Sequence, residues 1–228
     1  MSLVMVTRVT SSVTRIYEWC RTIPLLNYFS QLRMYSYVDI LLMLFAFGAD
    51  ARTIVSCSLL WFGFLIHLEW RHRDKGRSCW PIWAWIIPWI VGIVIHLSIF
   101  QIPFLVTCVA YSLKKRYRWI SLISWIINGS IKAWMIAMIP APLWSILLVS
   151  GLMGIRNLAG DIRDGGKDSA EGVLSLPVAL GLKVNIPFIY PACLVATSIT
   201  WVCIGGNSFL WLIPVFVVQG LTYRLTPR

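Results

Sequence analysis

Charge is what this sequence lacks. Only 13% of its 228 residues are Asp, Glu, Lys or Arg, about half the share of an ordinary soluble domain. Acids are scarcest, nine against 20 basic residues. Hydrophobic residues make up 58% of the chain, with 13 Trp and a mean hydropathy of +0.76. That balance excludes an ordinary water-soluble domain and describes a polytopic membrane protein. Cysteine is present without a pattern. Cys20, Cys57, Cys79, Cys108, Cys193 and Cys203 form no C-x-x-C and no zinc spacing. They read as small apolar residues of helices, and no disulfide framework follows. Nor does the net charge of +11 imply nucleic acid; in a membrane chain it marks loops facing anionic lipid.

Eight apolar runs are present, at about 34–49, 53–68, 81–99, 100–113, 119–138, 141–158, 184–204 and 208–223. Several are shorter than the roughly 20 residues a span needs, so tilt and flanking residues must extend them. Basic residues alternate between them. Arg8, Arg15, Arg21 and Arg33 precede the first run; Arg71, Arg73, Lys75 and Arg77 follow the second. Lys114, Lys115, Arg116 and Arg118 follow the fourth, and Arg156, Arg163, Lys167 and Lys183 the sixth. Arg224 and Arg228 follow the eighth, which leaves only Arg52 and Lys132 of the 20 unplaced. By the positive-inside rule both termini and the three large loops are cytoplasmic.

The expected fold is therefore all-α: a transmembrane bundle of about eight helices over residues 34–228. In residues 1–33, Ile16, Trp19, Cys20 and Ile23 share a helical face. That predicts an amphipathic helix in the interface, with a transit peptide of similar composition as the alternative. The second and sixth runs both end in acid-containing basic loops, four helices apart. Two similar halves around a shared cavity would place them so.

The acids that exist are concentrated. Residues 156–181, RNLAGDIRDGGKDSAEGVLSLPVALG, hold Asp161, Asp164, Asp168 and Glu171, four of the nine. Spacings of three, four and three would put them on one face of a continuous helix. Carboxylates so gathered need a positive partner, and a hard divalent cation such as Mg²⁺ takes such oxygens, often alongside substrate phosphates. Gly165 and Gly166 predict that the helix ends there, so that Asp168 returns from a loop. A loop of mutually paired Asp, Arg and Lys is the alternative. It is weakened by the apolar run that delivers Arg156 and Asn157 directly from a membrane.

This stretch resembles the second Asp-rich motif of the UbiA-type intramembrane prenyltransferases, roughly R-[DE]-x3-D-x2-D-x2-G-D followed by a Gly and a TLPV-like tail. Arg156, Asp161, Asp164, Asp168, Gly172 and Leu176-Pro177-Val178 match it. Asn157 stands in place of the usual acid, and Lys167 where a Gly often precedes the last Asp. The resemblance covers these 26 residues and is diffuse elsewhere. It implies a first motif, N-D-x2-D-x3-D, after the second run, where the chain has IHLEWRHRDKGRSCW. Of its acids only Glu69 and Asp74 remain, and Lys75-Gly76-Arg77 resembles a contracted basic tail. His67 and His72 lie nearby without zinc spacing; His67 or Glu69 could replace a missing ligand, and a plain cytoplasmic loop is the alternative. Tyr111-Ser112 with Lys114-Lys115-Arg116 also resembles the family's fourth-helix end, where positive-inside charge is an equal explanation. Lys132 and Asn128 lie one turn apart inside the fifth run and are expected to face the cavity. Asp39 is either their partner or a lining group.

The resemblance implies a Mg²⁺-dependent transfer of a prenyl group from an isoprenoid diphosphate to a lipophilic acceptor. Asp161, Asp164 and Asp168, with Glu69 and Asp74, would hold metal. Arg156, Lys114 and Arg163, with Arg77, Lys132 and Asn157, would meet the diphosphate. Aromatic rings would line the path of the cation. A terpene cyclase relative would close the chain's own double bond instead. A CDP-alcohol phosphotransferase shares the opening Asp161-x2-Asp164-Gly165, but Asp168-Ser169 stand where its pattern requires Ala-Arg. A transport-type or non-catalytic protein that kept the fold is the alternative from another class. One expectation is testable without any substrate. A cysteine introduced as Ser169→Cys should react with impermeant reagents only from the side of both termini; labelling from the opposite side alone overturns the arrangement.

Overall fold

The structure, a computed structural model, describes residue 28 and residues 32–71 and 80–226. The amphipathic segment expected before residue 28 and the positions Cys20, His72, Asp74, Lys75, Arg77 and Cys79 lie outside the described residues. Regular structure among those described is entirely helical. It comprises α1 (Met34–Ala46), α2 (Ala51–Arg71), α3 (Trp83–Ile95), α4 (Gln101–Ser112), α5 (Arg118–Leu122), α6 (Ser124–Ala137), α7 (Leu143–Arg163), α8 (Gly165–Ala170), α9 (Leu176–Ala179), α10 (Ile189–Ile204) and α11 (Leu212–Leu225). Each apolar run holds one helix of 12 residues or more; α5, α8 and α9 are shorter pieces.

Two helices, α2 and α7, are long and apolar enough to cross a membrane, at 21 residues each. Six others have 12–16 residues, about 18–24 Å at 1.5 Å per residue. A hydrocarbon core is about 30 Å thick, so these fall short of it.

Local chemistry explains the helix ends. Gly48 follows α1 with φ 72°, a conformation that costs a glycine little. Its N–H donates to the Phe45 carbonyl at 3.1 Å, and that of Ala49 reaches Leu44 at 3.0 Å, a Schellman close. Asp50 then begins α2 by accepting from the Thr53 N–H at 2.8 Å.

Helices pack as α6 on α7, α2 on α3, α4 on α6, and α10 on both α7 and α1, with α11 against α1. Small residues bring backbones close. At the α6–α7 crossing, a Cβ on Gly129 would stand 2.2 Å from the Ser150 carbonyl oxygen and 3.0 Å from the Gly154 nitrogen. At the α2–α3 crossing Ser56 Oγ donates to the Gly92 carbonyl at 2.6 Å, and Trp89 Nε1 to that of Leu60 at 3.0 Å. Hydroxyls and small residues hold apolar helices together where burial alone cannot.

The polarity runs inside out. Val94, Leu97, Leu147 and Ile213 are exposed, while Asp39, Lys132 and Arg156 are buried. The close crossing at Gly129 gives a direct check. Gly129→Ala should destabilise the purified protein by about 1–3 kcal/mol through overpacking. Gly151→Ala, with open space around its Cβ, should leave thermal unfolding unchanged or raise it. Equal effects from both would contradict this crossing.

Candidate functional site

The acidic stretch is built where α4, α6 and α7 end together. Asp161 lies in the last turn of α7. Its Oδ1 accepts from Lys114 Nζ at 2.7 Å, just beyond α4, and its Oδ2 from Ser124 Oγ at 3.1 Å, at the start of α6. Three helices thus converge on one carboxylate. Asp164 caps α7 and accepts from the neighbouring Arg163, Nε to Oδ1 at 2.8 Å. The Arg163 guanidinium lies over the Tyr190 ring at 4.9 Å and donates to Tyr223 Oη at 3.1 Å. Lys115 pairs with Glu171 at 2.8 Å.

The turn between Asp164 and Asp168 differs from expectation. The chain re-enters a helix at once, so Asp168 is carried by α8 and not by a loop. Gly165 and Gly166 serve close approach. A Cβ on Gly165 would stand 3.0 Å from the Leu182 and Val184 carbonyl oxygens. Asn185 Oδ1 accepts from the N–H groups of Gly166 and Lys167 at 3.0 and 3.3 Å. The true stop is Gly172, at φ 70°. There the Val173 N–H donates to the Asp168 carbonyl at 2.8 Å. Asp168 is buried, and that burial pushes its carboxyl above the usual carboxylate range, with Lys114 opposing and Asp161 adding. Burial works against the Lys114 ammonium as well. Asp161, Tyr111 and Asp168 together outweigh it and hold Lys114 above its ordinary value.

One turn deeper lies a second level. Tyr111 Oη donates to Asn157 Oδ1 at 2.9 Å. The other end of that amide, Nδ2, is buried without a partner. Both line a cavity of about 50 Å³ together with Asn128, Lys132, Arg156 and Trp61, among others. Lys132 donates to Asn128 Oδ1 and sits 4.6 Å from the Trp61 ring centre. Arg33 approaches Glu69 at 3.7 Å on the same side of the bundle.

Beside this cavity is an internal ion pair. Arg156 of α7 donates to Asp39 of α1 and to Thr197 Oγ1 of α10 at 3.2 Å. Thr197 and Ser198 each donate to Asp39 Oδ1 at 3.3 Å, and Gln219 of α11 donates to Ser198 Oγ at 2.9 Å. Asp39 is 0% exposed and Arg156 3%. Asp39 is thus the partner of Arg156 and not of Lys132.

The predicted residues therefore divide. Asp161, Asp164, Asp168, Lys114 and Arg163 gather at the helix ends. Asn157 and Lys132 line the cavity below, and Arg156 points inward. Glu69 stands with Arg33, and Asp74 and Arg77 lie outside the described residues. His67 is ringed by Trp70, Trp85 and Trp89, with centroids 5.9, 4.9 and 5.4 Å away. No three His, Cys, Asp or Glu side chains among the described residues converge on a metal-sized point. Ser124 and Trp61 were not anticipated as site residues. The stripe Ser124, Asn128, Lys132, each four residues from the next, is the signal that finds Ser124.

The internal pair has a measurable consequence. Asp39→Leu strands a buried guanidinium and should cost about 3–5 kcal/mol. Adding Arg156→Met should recover most of that loss in detergent unfolding; equal stability of Asp39→Leu and the parent would deny the pair. No family model, curated protein or solved structure matches this chain.

Proposed function

We propose that this protein is a multi-pass membrane transferase that moves a prenyl group from an isoprenoid diphosphate to a lipophilic acceptor. The observation that carries the reading is the junction of Lys114, Ser124 and Asp161, with Asp168 close enough to act on the same ammonium. An ammonium, a hydroxyl and a carboxylate meet where three helices converge. The outward apolar surface and buried charges support a bilayer setting. The motif resemblance at residues 156–181 supports the chemistry.

The donors fit Mg²⁺. They are hard carboxylate oxygens, and Mg²⁺ needs only one or two from protein when phosphates and water complete its shell. Asp161 and Asp168 would hold it, with Asp164 beside them. Bound there, it would neutralise the leaving diphosphate. Lys114, released from Asp161, and Arg163 would bind diphosphate oxygens by charge-assisted hydrogen bonds. The allylic C–O bond breaks with its electron pair leaving on the diphosphate. The acceptor nucleophile then bonds to the allylic carbon and loses its proton. Tyr and Trp faces around the cavity would favour the passing positive charge.

One observation favours a non-catalytic protein that kept the fold. Asp161, Asp164 and Glu171 each already hold a cation. Turnover separates the two readings. Full-length protein in lipid nanodiscs, given labelled prenyl diphosphates and a lipid extract as acceptor pool, should release pyrophosphate only with Mg²⁺. Asp161→Ala and Asp164→Ala should lose at least about a hundredfold in rate while inserting normally. Unchanged turnover in both variants removes the metal assignment, and no release by the parent protein favours the non-catalytic reading.

A further inference from the structure

We propose that the groove between α2 and α3 is the docking site of the chain's own N-terminal segment, with the apolar face shared by Ile16, Trp19, Cys20 and Ile23 lying in it. Nothing in this docking depends on prenyl transfer.

The groove encloses about 540 Å³, walled by Phe62 and Ile66 of α2 and by Trp83, Ala84 and Ile87 of α3. No charged residue lines it among those described. Its rim stands open, with Trp83 61% and Ile87 51% exposed. A concave recess of this size is the form of a binding site, unlike the convex apolar faces that meet lipid elsewhere.

The chain itself leads into this recess. Tyr28 lines it and packs edge-on against Trp80, ring centres 4.7 Å apart. Four residues on, Leu32 is buried with Ile66 and Ala84. The stretch entering α1 is therefore already held on the α2–α3 pair. Residues 1–27 precede it and lie outside the described residues. Ile23 is five residues before Tyr28, at most about 18 Å of extended chain. The apolar face of the segment is thus tethered close to the groove.

Depth and side agree as well. Ile66 lies five residues before Arg71, the end of α2, about 8 Å along the axis. An amphipathic helix in the interface sinks about 5–10 Å, which brings its apolar face to that level. The same end of α2 is the cytoplasmic one by its charge, the side expected for the N-terminus. A lipid chain filling the recess would have to be ordered there, whereas Trp19 brings a rigid ring.

Cys20, on the docking face, supplies the test. Trp83→Cys and Ile87→Cys are each made in the full chain with Cys79→Ser, so that no other thiol adjoins Trp80. The proteins are oxidised with copper–phenanthroline in nanodiscs. A disulfide needs Cα atoms within about 7 Å. Mass spectrometry of the monomer band should find Cys20 joined to the introduced thiol. Leu147→Cys, on the exposed face of α7, should give no link. Trp19→Glu, which sets a charge against the apolar groove, should cut the link at least about tenfold. A phosphatidylcholine with a photoreactive acyl chain should then label Trp83 and Ile87 several-fold more in Trp19→Glu than in the parent. Where one groove variant fails to fold, the other decides. Four results overturn the docking: no link at either groove position, equal linking at Leu147→Cys, a link only between two copies, or removal of residues 1–23 from the purified protein. Equal photolabelling in the parent and Trp19→Glu assigns the groove to lipid and overturns it too.

Discussion

The bundle depends on Asp39 and Arg156, a carboxylate and a guanidinium buried inside it. An internal charge cannot be left alone at any tolerable cost, so each fixes where the other's helix must stand. The pair ties α1 to α7. Thr197 and Ser198 complete the carboxylate from α10, and Gln219 extends the chain of hydrogen bonds to α11. Helices whose outer faces are apolar have little else to set their rotation about their own axes. A polar network deep in the bundle supplies that setting. Because α7 is fixed at Arg156, the residues that follow on it are fixed as well: Asn157 turns toward α4 and Asp161 toward Lys114.

From that anchor the polar groups fall into levels along the helices. Lys114, Ser124 and Asp161 meet at the helix ends. Tyr111, Asn157 and Asn128 form the next turn, and Lys132 hangs below on the same stripe of α6. At the ends Asp161, Asp164 and Glu171 each have a cation, and at the internal pair the match is one to one.

Much of this was legible in the sequence. The apolar runs each hold a helix, because hydropathy over a dozen residues reports on a whole element. Asp161 lies in the last turn of α7, Asp164 caps that helix, and Asp168 lies on α8. Lys132 and Asn128 do line a cavity, as their one-turn spacing inside an apolar run implied. Pairing was not legible. Asp39 and Arg156 are 117 residues apart and Lys114 and Asp161 are 47 apart, and in a chain with 20 basic residues any acid has many candidate partners. The turn after Asp164 was misread for a different reason. Glycine marks either a left-handed backbone or a close contact, and only the approach of residues 182–185 distinguishes the two. Asp168 consequently sits on a short helix that ends at Gly172.

The Lys114–Asp161 pair is, on the proposed function, the resting form of a diphosphate site. Equilibrium binding of an unreactive prenyl thiolodiphosphate to the protein in nanodiscs, with and without Mg²⁺, measures that most directly. The account predicts binding that requires Mg²⁺ and weakens about ten- to a hundredfold in both Lys114→Met and Asp161→Asn, the worth of one charge-assisted contact. Equal affinity in the parent and both variants, with no dependence on Mg²⁺, would contradict it.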